Sequence, residues 1–202
     1  MSLWRTEPLV LASKSSVRRA LLEAAGIPVE IEPARIDERV VESSKAASES
    51  AKGVALLLAR EKALEVAGRK SKSIVLGADQ TLALGERRFS KPATALAARE
   101  QLKLLAGKTH ELHAAVAVAQ NGKIVFETVV TARLTVRPLS ETFLDAYLAA
   151  AGDRLLSSVG AYQLEGQGVH LFERIEGDHF TIMGLPLLPL LAYFRSVGLV
   201  VS

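Results

Sequence analysis

The chain has 202 residues and no cysteine, which allows a sizeable core in a single domain, 1–202, and excludes disulfides and thiolate metal sites. Any metal must then be held by oxygen or histidine, which favours magnesium or manganese. The net charge is +3, with basic residues dispersed among acids, and no unbroken apolar run reaches about 18 residues. We therefore expect a cytoplasmic protein with neither a nucleic-acid nor a membrane partner.

Residues 8–12 are apolar and read as a first strand, followed by a helix from Ser16 to Ala25 that Gly26 stops. Val29 to Glu32 alternates and reads as a second strand. Pro33 to Glu38 reads as a loop carrying Asp37 and Glu38. A long helix is expected from Ser48 to Ala67, with Val54, Leu57, Leu58, Ala63 and Val66 on one side. Ser73 to Gly77 reads as a buried strand with Asp79 at its carboxyl end, and Thr81 to Leu84 as extended chain that turns at Gly85 and returns to Lys91-Pro92.

Thr94 caps a helix to Ala106. Thr109 to Ala119 and Ile124 to Val136 form a hairpin around Asn121-Gly122, the strongest local hairpin signal in the chain. Ser140 opens a helix to Ala150, and Ser157 to Leu171 reads as a glycine-rich loop with a short strand. Leu187 to Ser196 is the last helix. This alternation of helices and strands with one long hairpin predicts a mixed α/β fold, a central mixed sheet flanked by helices.

The first strand runs into Ala12-Ser13-Lys14-Ser15-Ser16-Val17-Arg18-Arg19. An arginine in a first helical turn opposes the macrodipole by roughly 0.3–1 kcal/mol, whereas an anion bound there turns the N–H groups, hydroxyls and guanidinium forks into an asset. The same pattern also fits two solvated arginines behind a plain serine N-cap. Asp79, after an apolar strand, stands where open α/β sheets place ligands, and a carboxylate there holds a divalent cation or takes a proton from water, or else caps a turn. Asp37 and Glu38 could share a hard cation with phosphates, but Arg35 and Arg39 flank the pair, which on the residues alone favours a solvated loop. Lys62 and Lys91 stand alone, as solvated lysines do. His110 and His113, three apart on one strand, face opposite ways and do not suit a shared metal.

Together these segments resemble the Maf-like nucleotide pyrophosphatases, the family once named for septum-formation inhibition. Leu11-Ala12-Ser13 with Arg18-Arg19 and Leu21-Leu22 matches the family's opening. Ile36-Asp37-Glu38, Ala59-Arg60-Glu61-Lys62-Ala63, Gly77-Ala78-Asp79-Gln80 with Lys91-Pro92, Gly160 to Gly166, and Ile175 to Asp178 with Gly184-Leu185-Pro186-Leu187 follow in order over nearly the whole chain.

The resemblance implies a nucleotide cleft between two lobes and hydrolysis of a nucleoside triphosphate to its monophosphate and pyrophosphate. It implies Asp79, Glu38 and Lys62 as catalytic residues, with Asp79 as general base and a magnesium or manganese ion on Asp79 and Glu38. Ser13, Arg18, Arg19 and Lys91 would bind the phosphates. Gln80 and Glu165 match the branch associated with 7-methyl-GTP, and would read the base. Ser16 stands where the family commonly has proline, and Tyr162-Gln163-Leu164 departs from that branch. The alternatives are a thymidine or uridine triphosphate pyrophosphatase, or a nucleotide-binding regulator of cell division. A homodimer is also implied, with the hairpin from Thr109 to Val136 as its surface.

Overall fold

A computed structural model describes residues 3–45 and 49–201. The elements in chain order are β1 (Leu9–Leu11), α1 (Ser16–Ala24), β2 (Val29–Ile31), α2 (Glu38–Lys45), α3 (Ala51–Arg69), β3 (Val75–Leu84) and β4 (Arg87–Phe89). They continue as α4 (Ala95–Leu105), β5 (Thr109–Gln120), β6 (Lys123–Val136), α5 (Glu141–Ala151), β7 (Phe172–Glu176), α6 (His179–Ile182) and α7 (Leu187–Ser196). Seven strands among the described residues make one mixed sheet in the order β2-β1-β3-β5-β6-β7, with β4 paired to β3. The mixed α/β architecture expected from the sequence is the one observed. β1 runs parallel to β2 and β3, while β3–β4 and β6–β7 are antiparallel.

The chain forms two compact units, residues 1–80, 113–130 and 179–202, and residues 81–112 and 131–178. In the first unit β1, β3 and β5 are buried on both faces, and side-chain alternation sorts the two cores. Leu9, Leu11, Leu76, Val116 and Val118 face one side, where they meet Leu22 of α1 and Leu190 and Phe194 of α7. Val10, Val75, Ala115, Ala117 and Ala119 face the other, against Ala55, Ala59, Ala63 and Ala67 of α3. That second core is alanine on alanine, so α3 lies close to the sheet. A close approach is at Gly77, where a Cβ would stand 2.1 Å from Ala59 O and 2.7 Å from Ala63 N. Only glycine fits there.

In the second unit, Arg99 of α4 donates to Asp145 and Glu141 of α5, both at 2.5 Å. The chain from Gly152 to Leu171 folds into three short 3₁₀ turns rather than the loop and strand expected, and the strand comes later, as β7. Tyr162 packs edge-on against Phe172 and shares a 2.7 Å hydrogen bond with His110.

Three other local expectations are corrected. β3 does not stop at Gly77: it runs ten residues without a break, because its backbone is laddered to β1 at Val75–Leu76 and to β4 at Leu82–Leu84. Asp79 therefore lies in the middle of a strand, not at its end. The loop ending at Glu38 gives way to α2, whose first residue is Glu38; Asp37 Oδ1 caps it, accepting from the amides of Arg39 (3.0 Å) and Val40 (3.2 Å). α3 begins at Ala51 behind the cap Ser50, and the expected start at Ser48 falls outside the described residues.

Candidate active site

The turn between β1 and α1 is built on its serines. Ser15 caps α1, its hydroxyl accepting from the Arg18 amide at 3.3 Å. Ser13 Oγ accepts from the Ser15 amide at 3.2 Å and from Arg18 Nη1 at 3.3 Å. The Arg18 side chain does not run out to water. Its Nη1 also donates to Ala78 O of β3 at 3.0 Å, and its Nε to Gly184 O at 2.8 Å. Burial pushes the Arg18 pKa down from its ordinary value, against the opposing pull of Asp79 and Glu38. Three protein oxygens thus fix the plane of the guanidinium, which answers why an arginine stands in the first turn of α1.

The second cluster lies between α2, α3 and β3. Lys62 Nζ is 2.6 Å from Asp79 Oδ1 and 2.6 Å from Glu38 Oε1. Lys62 and Asp79 are buried, and Glu38 keeps about half of its side-chain surface, 52%. Lys62 adjoins Ala63, one of the two residues that pack on Gly77, and Asp79 is two residues along β3 from that glycine. The close approach of α3 to β3 is what brings an ammonium and a carboxylate together. Burial pushes the Asp79 carboxyl up from the usual carboxylate range and Glu38 adds to the rise, while Lys62 and Arg18 pull it down.

Ser13, Arg18, Glu38, Lys62, Asp79 and Gln80 all belong to the first unit. Gln80 Nε2 donates to Thr181 O at 3.1 Å and Ile182 O at 3.0 Å. Arg19 is not drawn into the cluster. It is exposed and pairs along α1 with Glu23 at 2.7 Å. Lys91 and Glu165 belong to the second unit, where both are exposed; Pro92, after Lys91, is buried, and Glu165 sits in a turn that the Gly166 amide closes on Gln163 O at 3.2 Å.

Two features were not found from sequence. Gly77 is one, although a lone glycine inside an apolar strand is a recognised sign of close backbone approach. The other is the pair of carbonyls at Ala78 and Gly184, which carry no side-chain signature at all.

For a metal, the donor set decides. Asp79 and Glu38 present two hard carboxylate oxygens to one point of positive charge, at Lys62 Nζ. Among the described residues no group of three or more His, Cys, Asp or Glu is assembled as for a protein-caged ion. Magnesium is commonly held by one or two carboxylates together with substrate phosphates, so the residues present fit such an ion.

The fold and this cluster define a mixed α/β protein whose opposite charges converge on one sheet. Within that class the chain belongs to the Maf-like family: residues 8–197 match the family described as "Maf-like protein". A relative from Bradyrhizobium diazoefficiens named nucleoside triphosphate pyrophosphatase is 59% identical over 201 residues, covering 99% of each chain. A second so named, from Nitrobacter winogradskyi, is 56% identical over 197 residues, covering 97% of each. A relative from Rhizobium johnstonii named 7-methyl-GTP pyrophosphatase is 50% identical over 194 residues, covering 96% of this chain and 98% of its own.

Proposed function

We propose that the protein hydrolyses a nucleoside triphosphate between its α and β phosphates, releasing the monophosphate and pyrophosphate. The observation that carries this reading is Lys62 Nζ, 2.6 Å from both Asp79 and Glu38, beside an arginine held rigid by Ser13, Ala78 and Gly184. The names of the close relatives support it.

In this reading Asp79 takes the proton from the attacking water. Its raised proton affinity suits a base better than an ordinary surface aspartate does. The water oxygen bonds to phosphorus, the bridging P–O bond breaks, and pyrophosphate leaves with that bond's electrons. Lys62 holds the carboxylate in place. Arg18, with its donors already aimed, stabilises charge on the phosphate oxygens without reorganising. Ser13 Oγ accepts from Arg18, which leaves its own O–H to donate to a phosphate. Asp79 and Glu38 would hold a magnesium or manganese ion, which when bound neutralises phosphate charge. Lys91 adds a cation for the phosphates.

We also propose Glu165 as the reader of the base. Its exposed carboxylate suits the two donors on the Watson–Crick edge of a guanine, and a methylated, positively charged purine better still; a uracil offers one donor there. The relative named for 7-methyl-GTP supports this choice. kcat/KM across 7-methyl-GTP, GTP, UTP and dTTP tests it, with Glu165→Gln as the variant. The methylated and unmodified guanosine nucleotides should lead in the wild type, and Glu165→Gln should shift the ratio toward uridine by about tenfold or more, ~1.4 kcal/mol. A wild-type preference for UTP or dTTP that ignores Glu165 would establish the pyrimidine alternative. A homodimer belongs to the same proposal, and light scattering should return about twice the chain mass of 21.6 kDa.

A further inference from the structure

Gln80 is half-buried, and its amide nitrogen is turned onto backbone carbonyls. Both hydrogens of its amide are committed, one to Thr181 O at 3.1 Å and one to Ile182 O at 3.0 Å. Two carbonyl partners also identify the atom facing them as nitrogen rather than oxygen. Thr181 and Ile182 end α6, and two residues further on Gly184 O accepts from Arg18 Nε at 2.8 Å. Gly184 has φ +86°, and a Cβ there would stand 3.4 Å from Arg18 Nη2 and 3.4 Å from Gln80 Oε1. The amide and the guanidinium therefore flank the same turn. Arg18 Nη1 returns to β3 at Ala78 O, 3.0 Å away, two residues before Gln80. The connections close a ring: β3, Gln80, the turn 181–184, Arg18, and β3 again.

We propose that Gln80 is a positioning residue for hydrolysis, acting through Arg18 and not through the nucleotide base. This rests on the function proposed above. The physical reason is that a desolvated guanidinium depends on its acceptors. Gly184 O is one of three acceptors that set the plane of Arg18, and Gln80 holds the turn that supplies it. The Gly184 amide also donates to Thr181 O at 3.0 Å, so the turn keeps its own backbone bond; what the amide of Gln80 adds is the tie from that turn to β3, through Thr181 O and Ile182 O. Without that tie the turn is free to shift on β3, and Arg18 loses its aim at the phosphates. A misplacement of about 1 Å in a catalytic group costs up to about 10²-fold in rate.

The test is Gln80→Met, which keeps the length of the side chain and removes the hydrogen bonds. Expected is a loss of about tenfold or more in kcat/KM, by the same factor for guanosine and uridine triphosphates. In an Arg18→Ala background the same substitution should cost less than about threefold, because the residue through which Gln80 acts is gone. A loss confined to one base, or a full additional loss on top of Arg18→Ala, overturns the proposal.

A second measurement needs no turnover. The Arg18 Nε–H, bonded to Gly184 O at 2.8 Å, should exchange more slowly by NMR in the wild type than in Gln80→Met. Unchanged protection overturns the proposal whatever the kinetics. Failure of the underlying function has a different signature: a wild type that releases no pyrophosphate from any nucleotide, or an Arg18→Ala variant with full activity. In that event the exchange measurement still decides whether Gln80 positions Arg18.

Discussion

Lys62 shows how a single side chain is held by competing costs. An ammonium this buried is tolerable because two carboxylates flank it, and Asp79 in turn is tolerable because Lys62 and Arg18 lie near. Replacing Lys62 by methionine leaves Asp79 buried beside Glu38 without that partner. Breaking a buried pair on one side costs about 3–5 kcal/mol, and the exposure of Glu38 puts this case at the low end. The expected outcome is a stability loss near ~3 kcal/mol by urea unfolding, with activity lost as well. Adding Asp79→Asn to Lys62→Met should recover part of the stability and none of the activity. If the double variant is no more stable than the single one, the pair is not electrostatically coupled. Lys91→Ala and Glu165→Gln separate the ends of the substrate: the first should lower kcat/KM equally for every base, the second unequally. Equal effects from both would remove Glu165 from base recognition.

At the scale of elements, the site depends on how closely α3 approaches β3. Gly77→Ala places a methyl against backbone atoms, Ala59 O and Ala63 N, which cannot rotate away. The helix must move, at a cost of about 1–3 kcal/mol, carrying Lys62 off Asp79. Activity should fall by more than stability explains, to be read at a temperature where the variant is fully folded; wild-type kcat in a folded Gly77→Ala protein would contradict this packing argument.

His110 of β5 belongs to a different account. Burial lowers its pKa to about 4. The folded state then holds it neutral while the unfolded chain binds a proton near pH 6.5. Stability is complete above about pH 6.5 and is lost as pH falls toward 4, by an amount of about 3 kcal/mol. His110→Gln should flatten that acid slope in urea unfolding at pH 7, 5.5 and 4.5, and an unchanged slope would mean that another group titrates.

Elements with strong local signals were legible in the sequence. Thr94 and Ser140 cap α4 and α5 as expected, accepting from the amides of Ala97 and Phe143, and Asn121 and Gly122 take positive φ of 52° and 73° in the hairpin turn. The full length of β3 is not legible because Gly77-Ala78-Asp79-Gln80 shows no alternation, and the strand is held at one end by β1, far away in sequence, and at the other by β4 just beyond Gly85. α2 was readable in principle from Asp37 as a cap followed by Glu38. The three 3₁₀ turns have no periodicity to read.

For the molecule as a whole, the sequence named residues that the fold brings close together, but not how they are held. Ser13, Arg18, Glu38, Lys62 and Asp79 come together from four separate segments of the chain. What was not legible is how they are held, since the anchors are backbone carbonyls and a glycine contact. Arg18 and Lys62 against Glu38 and Asp79 make the cluster formally neutral. On the proposed function a polyphosphate would bring its cation with it, and EDTA should abolish turnover, with magnesium or manganese restoring it; full activity in metal-free buffer would contradict that reading.

The measurement closest to the central claim is the identity and rate of the first product. Purified protein is incubated with a nucleoside triphosphate and magnesium, and phosphorus-containing products are followed by NMR, for the wild type and for Asp79→Asn. Expected is pyrophosphate appearing in step with the nucleoside monophosphate. Asp79→Asn should be slower by at least ~10²-fold while folded, the lower range for loss of a general base. Orthophosphate as the first product, or an Asp79→Asn variant as fast as the wild type, would contradict the assignment of this cluster.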